Sequence, residues 1–133
     1  TMYERKEDLR PMFKAIRQGK GCYYLPDQDP GRRRAAFAPF FGFPTATWPV
    51  LGRIAKLCGA AVLPCPTYLL PGGAGFEIVI GEPLLRFPTG TPEGDAASMN
   101  SAIEDTIRRD PSQYFWVHKR FKTRPPGEPS IYD

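Results

Sequence analysis

Apolar residues recur at i, i+3, i+4 and i+7 through Leu9, Met12, Phe13 and Ile16, while Arg10, Lys14, Arg17 and Gln18 point elsewhere. That spacing lays one apolar stripe along a 3.6-residue repeat and predicts an amphipathic helix. Asp8 is placed to cap it, Pro11 is tolerated in its first turn, and Gly19 or Gly21 ends it in a left-handed conformation. The spacing returns at Leu51, Ile54, Ala55 and Cys58 with Gly59 beyond, predicting a second helix capped by Thr45 or Thr47. A third helix carries Met99, Ile103 and Ile107 on one face and Arg108 and Arg109 in its last turn, where cations suit the helix dipole.

Shorter apolar runs mark strands. Residues 22–25 are β-prone and stopped by Pro26. Residues 37–43, FAPFFGF, are aromatic but interrupted by Pro39 and Gly42, which predicts an irregular edge strand or a packed loop. Residues 60–65, AAVLPC, form the continuous apolar run of a strand covered on both faces, with Pro64 near an edge or strand end. Residues 68–70 and 75–80 flank a Pro71-Gly72-Gly73 turn and read as a hairpin, with Phe76, Ile78 and Ile80 alternating against Glu77 and Val79. Asp110-Pro111-Ser112-Gln113 is a variant capping box that opens a short aromatic helix over residues 114–117. Residues 122–133, with three prolines, read as an extended surface arm. Together these elements predict an α/β domain, a mixed sheet flanked by helices, with no internal repeat and no second domain boundary.

Composition narrows the class. In 133 residues, 41% are hydrophobic and 13% aromatic, enough to line a core, which argues against wholesale disorder. The 16 prolines and 13 glycines follow no fixed period, so turns are frequent but no collagen-like repeat exists. No stretch approaches the roughly 18 to 20 apolar residues of a membrane-spanning helix, and no signal-peptide pattern opens the chain. Cys22, Cys58 and Cys65 match no CxxC motif, and their apolar neighbours predict reduced, buried thiols; no metal and no cofactor is expected. A formal charge of +4 favours anionic partners without choosing among phosphates, acidic proteins and acidic lipid.

Residues 26–36, PDQDPGRRRAA, hold almost nothing that could fill a core and read as a loop. Asp27 and Asp29 stand two apart and Arg32, Arg33 and Arg34 follow at once. Such a run is either a solvated turn with weak local ion pairs, or a site where carboxylates orient a base or polar acceptor while guanidinium forks meet phosphate oxygens. Lys119, Arg120, Lys122 and Arg124 form a second basic cluster interleaved with Trp116 and Phe121. No RNP, zinc or helix-turn-helix signature accompanies it, so nucleic acid is not the expected partner; an anionic membrane surface is compatible. His118, the single histidine, has no Ser, Cys or carboxylate beside it in sequence. Gly72-Gly73-Ala74-Gly75 lacks the GK[ST] ending of a phosphate loop and reads as an ordinary turn.

The succession YYLPDQDPG, FAPFFGFPTAT, GAAVLPCP, FEIVIGEPL and QYFWVHKRFKTRPPGEP resembles the C-terminal portion of the lipid A biosynthesis late acyltransferases, the lauroyl and myristoyl transferase family of the lysophospholipid acyltransferase superfamily. The likeness runs from Glu4 to Ser130. It implies that residues 1–133 are the C-terminal part of a single acyltransferase domain. It also implies transfer of a fatty acyl chain from acyl carrier protein to a hydroxyl of a phosphorylated glucosamine-based lipid acceptor, at the cytoplasmic face of the bacterial inner membrane. The family's base is a histidine followed five positions later by Asp or Glu; five on from His118 is Thr123, so the resemblance places the base before residue 1 and makes the chain a fragment.

By the same resemblance Asp29, and with it Asp27, supports the active site, and Phe40, Phe41 and Gly42 belong to the wall of a donor or acyl pocket. Val62, Leu63 and Pro64 match an apolar strand behind the site. Arg32, Arg33, Arg34, His118, Arg120 and Lys122 are the candidate substrate contacts. The other expectation is a non-enzymatic module that binds anionic lipid or acyl carrier protein.

Overall fold

The computed structural model describes residues 8–132. Helix α1 covers Arg10–Arg17, strands β1 and β2 cover Ala36–Phe40 and Phe43–Thr47, and helix α2 covers Val50–Cys58. Strands β3 and β4 follow at Thr67–Leu69 and Phe76–Ile78, and helix α3 at Pro92–Arg109. Single 3-10 turns cover Arg32–Arg34, Pro71–Gly73, Pro111–Gln113 and Trp116–His118. The α/β class stands, with the strands paired as two separate antiparallel ribbons, β1 with β2 and β3 with β4.

The aromatic segment predicted to be irregular is a regular hairpin. Phe41 and Gly42, at φ of 48° and 82°, form its two-residue turn, the pair of positive φ values that lets strand twist continue through the bend. Pro39 and Pro44 face each other across it. Both stand at positions where an N–H would point away from the partner strand, so neither breaks the ladder. Their outward carbonyls are taken up by side chains: Asn100 Nδ2 donates to Pro39 O at 2.9 Å and Arg124 Nη1 to Pro44 O at 2.5 Å.

Ala36, Ala38 and Ala96 form the buried centre, and their small side chains let β1 lie close on α3. Thr91 caps α3 by accepting from the Gly94 N–H at 3.1 Å, and Arg108 and Arg109 fill its last turn as expected. Helix α2 crosses α3 at Gly52, where a Cβ would fall 1.8 Å from Asp95 Oδ2. That carboxylate cannot swing aside freely, because it accepts from Thr89 N at 2.6 Å and Thr89 Oγ1 at 2.9 Å. Arg17 of α1 donates to Leu57 O at 3.1 and 2.9 Å and so closes the C-terminal end of α2.

Several expectations need correction. Helix α2 starts after Pro49, with Thr45 and Thr47 buried in β2 instead of capping it. The N-cap of α1 is Leu9, and Asp8 accepts from the Arg10 N–H without being the cap residue. Residues 22–25 and 60–65 lie outside both sheets. The second run extends the β3–β4 ladder, with Gly81 N donating to Pro64 O, but Leu63 is 42% exposed, so it is not covered on both faces. Cys22 is exposed, and Cys58 and Cys65 are half-buried. The aromatic helix expected over residues 114–117 is replaced by two 3-10 turns with Tyr114 extended between them.

Candidate functional site

The acidic loop and the second basic cluster, 93 residues apart in sequence, meet. Arg120 is 1% exposed, and its Nε donates to Asp27 Oδ1 at 3.0 Å. Its Nη1 reaches Ala46 O at 2.5 Å, its Nη2 reaches Thr47 Oγ1 at 2.9 Å, and the guanidinium stacks 5.1 Å over the Phe40 ring. Asn100, fully buried on α3, adds an Nδ2 donation to Thr47 Oγ1 at 3.1 Å. A buried guanidinium is tolerable only when its donors are taken up, and here loop, hairpin and helix each supply an acceptor. Asp27, Arg120, Thr47 and Asn100 form a polar seam that ties four parts of the chain together.

Asp29 closes the other end of the loop. Its Oδ1 accepts from Gly31 N at 2.7 Å and its Oδ2 from Thr123 N at 2.9 Å. The first is a local turn that Gly31, at φ 72°, completes; the second fastens the loop to the C-terminal segment. Arg32 Nη2 donates to Arg124 O at 3.3 Å. Arg32, Arg33 and Arg34 are all exposed on their 3-10 turn, as is Lys122, the neighbour of Thr123. The arginines therefore stand as a fixed, solvent-facing cationic run.

Tyr114 lies between Asp27 and His118. Burial, and then the Asp27 carboxylate that accepts its hydrogen bond, push the Tyr114 phenol well above its ordinary pKa, so it stays protonated. Its Oη is 3.5 Å from His118 Nε2, while His118 Nδ1 hydrogen-bonds Phe115 O. Phe40 is wholly buried against Phe41, Tyr114 and Phe121, so its ring is part of the core. Phe41 is half-buried, near Trp116 and under the Arg108 guanidinium.

The structure thus brings Asp27, Arg120, Phe40 and His118 into one neighbourhood and holds Asp29 and the three arginines on the loop beside it. Sequence reasoning missed Asn100 and Thr47; the signal was Asn100 standing four residues after Ala96 on the apolar side of α3. An open cleft of about 450 Å³ lies at the β3–β4 ribbon, lined by Tyr68, Leu69, Glu77, Arg109, Asp110 and Gln113 among others, and collects none of these groups. Among the described residues no group of three or more His, Cys, Asp or Glu could hold a metal, and no helix is long and apolar enough to cross a membrane.

The profile of the family described as bacterial lipid A biosynthesis acyltransferase matches residues 1–123. The chain belongs to that family. It is 38% identical over 137 residues to the lipid A biosynthesis lauroyltransferase of Escherichia coli (strain K12), covering 99% of this chain and 43% of that protein. The palmitoleoyltransferase of the same organism is 38% identical over 128 residues, 96% of this chain and 42% of its own length. The myristoyltransferase is 35% identical over 135 residues, 98% and 41%. The chain therefore spans about two fifths of the length of these curated lipid A acyltransferases.

Proposed function

We propose that the protein completing this domain moves a fatty acyl group from acyl carrier protein to a hydroxyl of a phosphorylated glucosamine-based lipid A precursor, at the cytoplasmic face of the bacterial inner membrane. The observation that carries the reading is the family match along almost the whole chain, to relatives named for lauroyl, palmitoleoyl and myristoyl transfer. In the reaction the acceptor hydroxyl attacks the thioester carbonyl, a C–O bond forms, the C–S bond breaks and the carrier leaves as its thiol. The base that takes the hydroxyl proton lies outside this chain, as the resemblance implies.

This chain's contribution is phosphate binding and positioning. The exposed run Arg32–Arg34, with Lys122 beside it, meets the acceptor phosphates, because guanidinium forks pair bidentately with phosphate oxygens. Asp27 and Asp29 support the site by fixing the loop that carries those arginines. Arg120, enclosed by its own acceptors, holds the loop in place, and His118 and the Phe41 ring flank the same region.

The test is made in the Escherichia coli lauroyltransferase with its matched stretch replaced by this chain. The triple substitution Arg32→Gln, Arg33→Gln and Arg34→Gln is expected to raise KM for phosphorylated acceptor about tenfold, about 1.4 kcal/mol, and to leave KM for the acyl-carrier thioester unchanged. An unchanged acceptor KM removes the arginines from the site. Binding of the chain to anionic vesicles together with an inactive graft would instead make it a non-enzymatic lipid-binding module.

A further inference from the structure

The β3–β4 ribbon is finished on two sides and bare on the other two. Toward α3, Tyr68 is 8% exposed and its Oη donates to Thr106 O at 2.8 Å, while Glu77 pairs with Arg109, which lies 4.2 Å over the Tyr68 ring. The outer edge of β3 is sealed by Gln113: Leu69 N donates to its Oε1 at 2.6 Å and its Nε2 donates to Leu69 O at 3.2 Å. A side-chain amide here replaces a neighbouring strand.

The opposite face and edge have no such cover. Ladder bonds from Val79 N to Pro66 O and Gly81 N to Pro64 O continue the β3–β4 register, in which Thr67 faces Ile78 and Leu69 faces Phe76. Phe76, Ile78 and Ile80 therefore turn their N–H and C=O groups away from β3. Among the described residues nothing bonds to those groups. The side chains of the same three residues are 71%, 65% and 72% exposed, flanked by Leu69 at 53% and Leu63 at 42%. An edge strand whose exposed face is Phe76, Ile78 and Ile80, with its one charge, Glu77, turned to the other face and paired with Arg109, is what proteins avoid leaving uncovered, and a two-stranded ribbon is marginal by itself.

We infer that β4 is an interior strand of a larger sheet. Its free edge pairs with a strand, and its Phe76, Ile78 and Ile80 face is covered by apolar residues, both from the part of a lipid A acyltransferase that this chain does not match. The length relation points to this occupant: more than half of each relative lies outside the matched region, while among the described residues the Phe76, Ile78 and Ile80 row and its hydrogen-bonding edge are left uncovered. A membrane surface would cover the apolar row but offer nothing to the edge. The inference rests on family membership and not on the acyl-transfer reading, and its readout is amide exchange instead of turnover.

The experiment compares hydrogen exchange at Phe76, Ile78 and Ile80 in the free chain and in the lauroyltransferase graft. Expected is near-unprotected exchange in the free chain at low concentration and exchange at least about 100-fold slower in the monomeric graft. Ile78→Asp should abolish that protection in the graft and leave the free chain's melting temperature unchanged. Ile80→Ser, a milder change, gives the same readout where Ile78→Asp leaves the graft insoluble. Equal exchange in both proteins overturns the inference. So does protection that follows dimer formation, or protection produced in the free chain by anionic phosphatidylglycerol vesicles and absent from the graft.

Discussion

The polar seam and the β3–β4 ribbon hold opposite kinds of residue in opposite states. The seam buries groups that should prefer water, Arg120, Asn100 and Thr47, and satisfies them from within the chain. The ribbon exposes groups that should prefer a core, Phe76, Ile78 and Ile80, and leaves them bare. The polar interior closes on itself and carries the arginine run at its surface, while the apolar row of the ribbon stays open, as the joining surface proposed above requires.

Breaking the seam should have the largest effect. Arg120→Ala leaves Asp27, Thr47 and Asn100 facing an unfilled, half-dry space. Removing one member of a buried ion pair costs about 3 to 5 kcal/mol, measurable as a lower urea midpoint. Asp27→Asn should cost less than Arg120→Ala but more than Asp29→Asn, because Asp27 answers a buried charge and Asp29 answers two backbone N–H groups. Equal midpoints for the two Asn variants would show that Arg120 does not need its carboxylate.

Next comes Gly52→Ala. Its added methyl meets a carboxylate already held by two Thr89 donors, and overpacking of this kind costs about 1 to 3 kcal/mol. A wild-type melting temperature would mean that α2 and α3 can move apart freely.

On the ribbon, Ile78→Asp in the free chain should change stability by no more than about 0.5 kcal/mol, the range of a surface substitution. A large loss would place Ile78 in the chain's own core and erase the contrast.

The smallest effect belongs to the cap at Asp110. Its carboxyl is held below the ordinary 3.8 by the Ser112 hydroxyl and the Gln113 amide. A carboxylate depressed in the folded state contributes stability that is fully present above about pH 4 and is lost as pH falls through the lower folded value. The Gln113 seal on β3 should therefore loosen only below pH 4, seen as faster exchange at the Leu69 amide. Loosening between pH 5 and 7 would point to another group.

Much of this was legible in the sequence. Helical periodicity placed α1, α2 and α3, because each buries a stripe on neighbours within the chain. The hairpin of β1 and β2 was obscured by Pro39 and Gly42, since proline's harm to a strand depends on which way its missing N–H would point, a matter of register, and Gly42 belongs to the turn itself. The acidic loop and Arg120 both stood out, Arg120 as a candidate substrate contact, but their pairing did not, because nothing local marks an arginine 93 residues away as buried. For Phe76, Ile78 and Ile80 the alternation marked the strand correctly and said nothing of its cover: periodicity identifies an apolar face without saying whether this chain covers it.

Residue-resolved amide exchange of the free chain at neutral pH tests the contrast most directly. The Thr123 amide bound to Asp29 and the ladder amides of Ala38 and Thr45 should open only with global unfolding, while Phe76, Ile78 and Ile80 exchange orders of magnitude sooner. If the ribbon amides proved as slow as those of the hairpin, or the Thr123 amide as fast as Ile78, the division into a closed seam and an open joining surface would be contradicted.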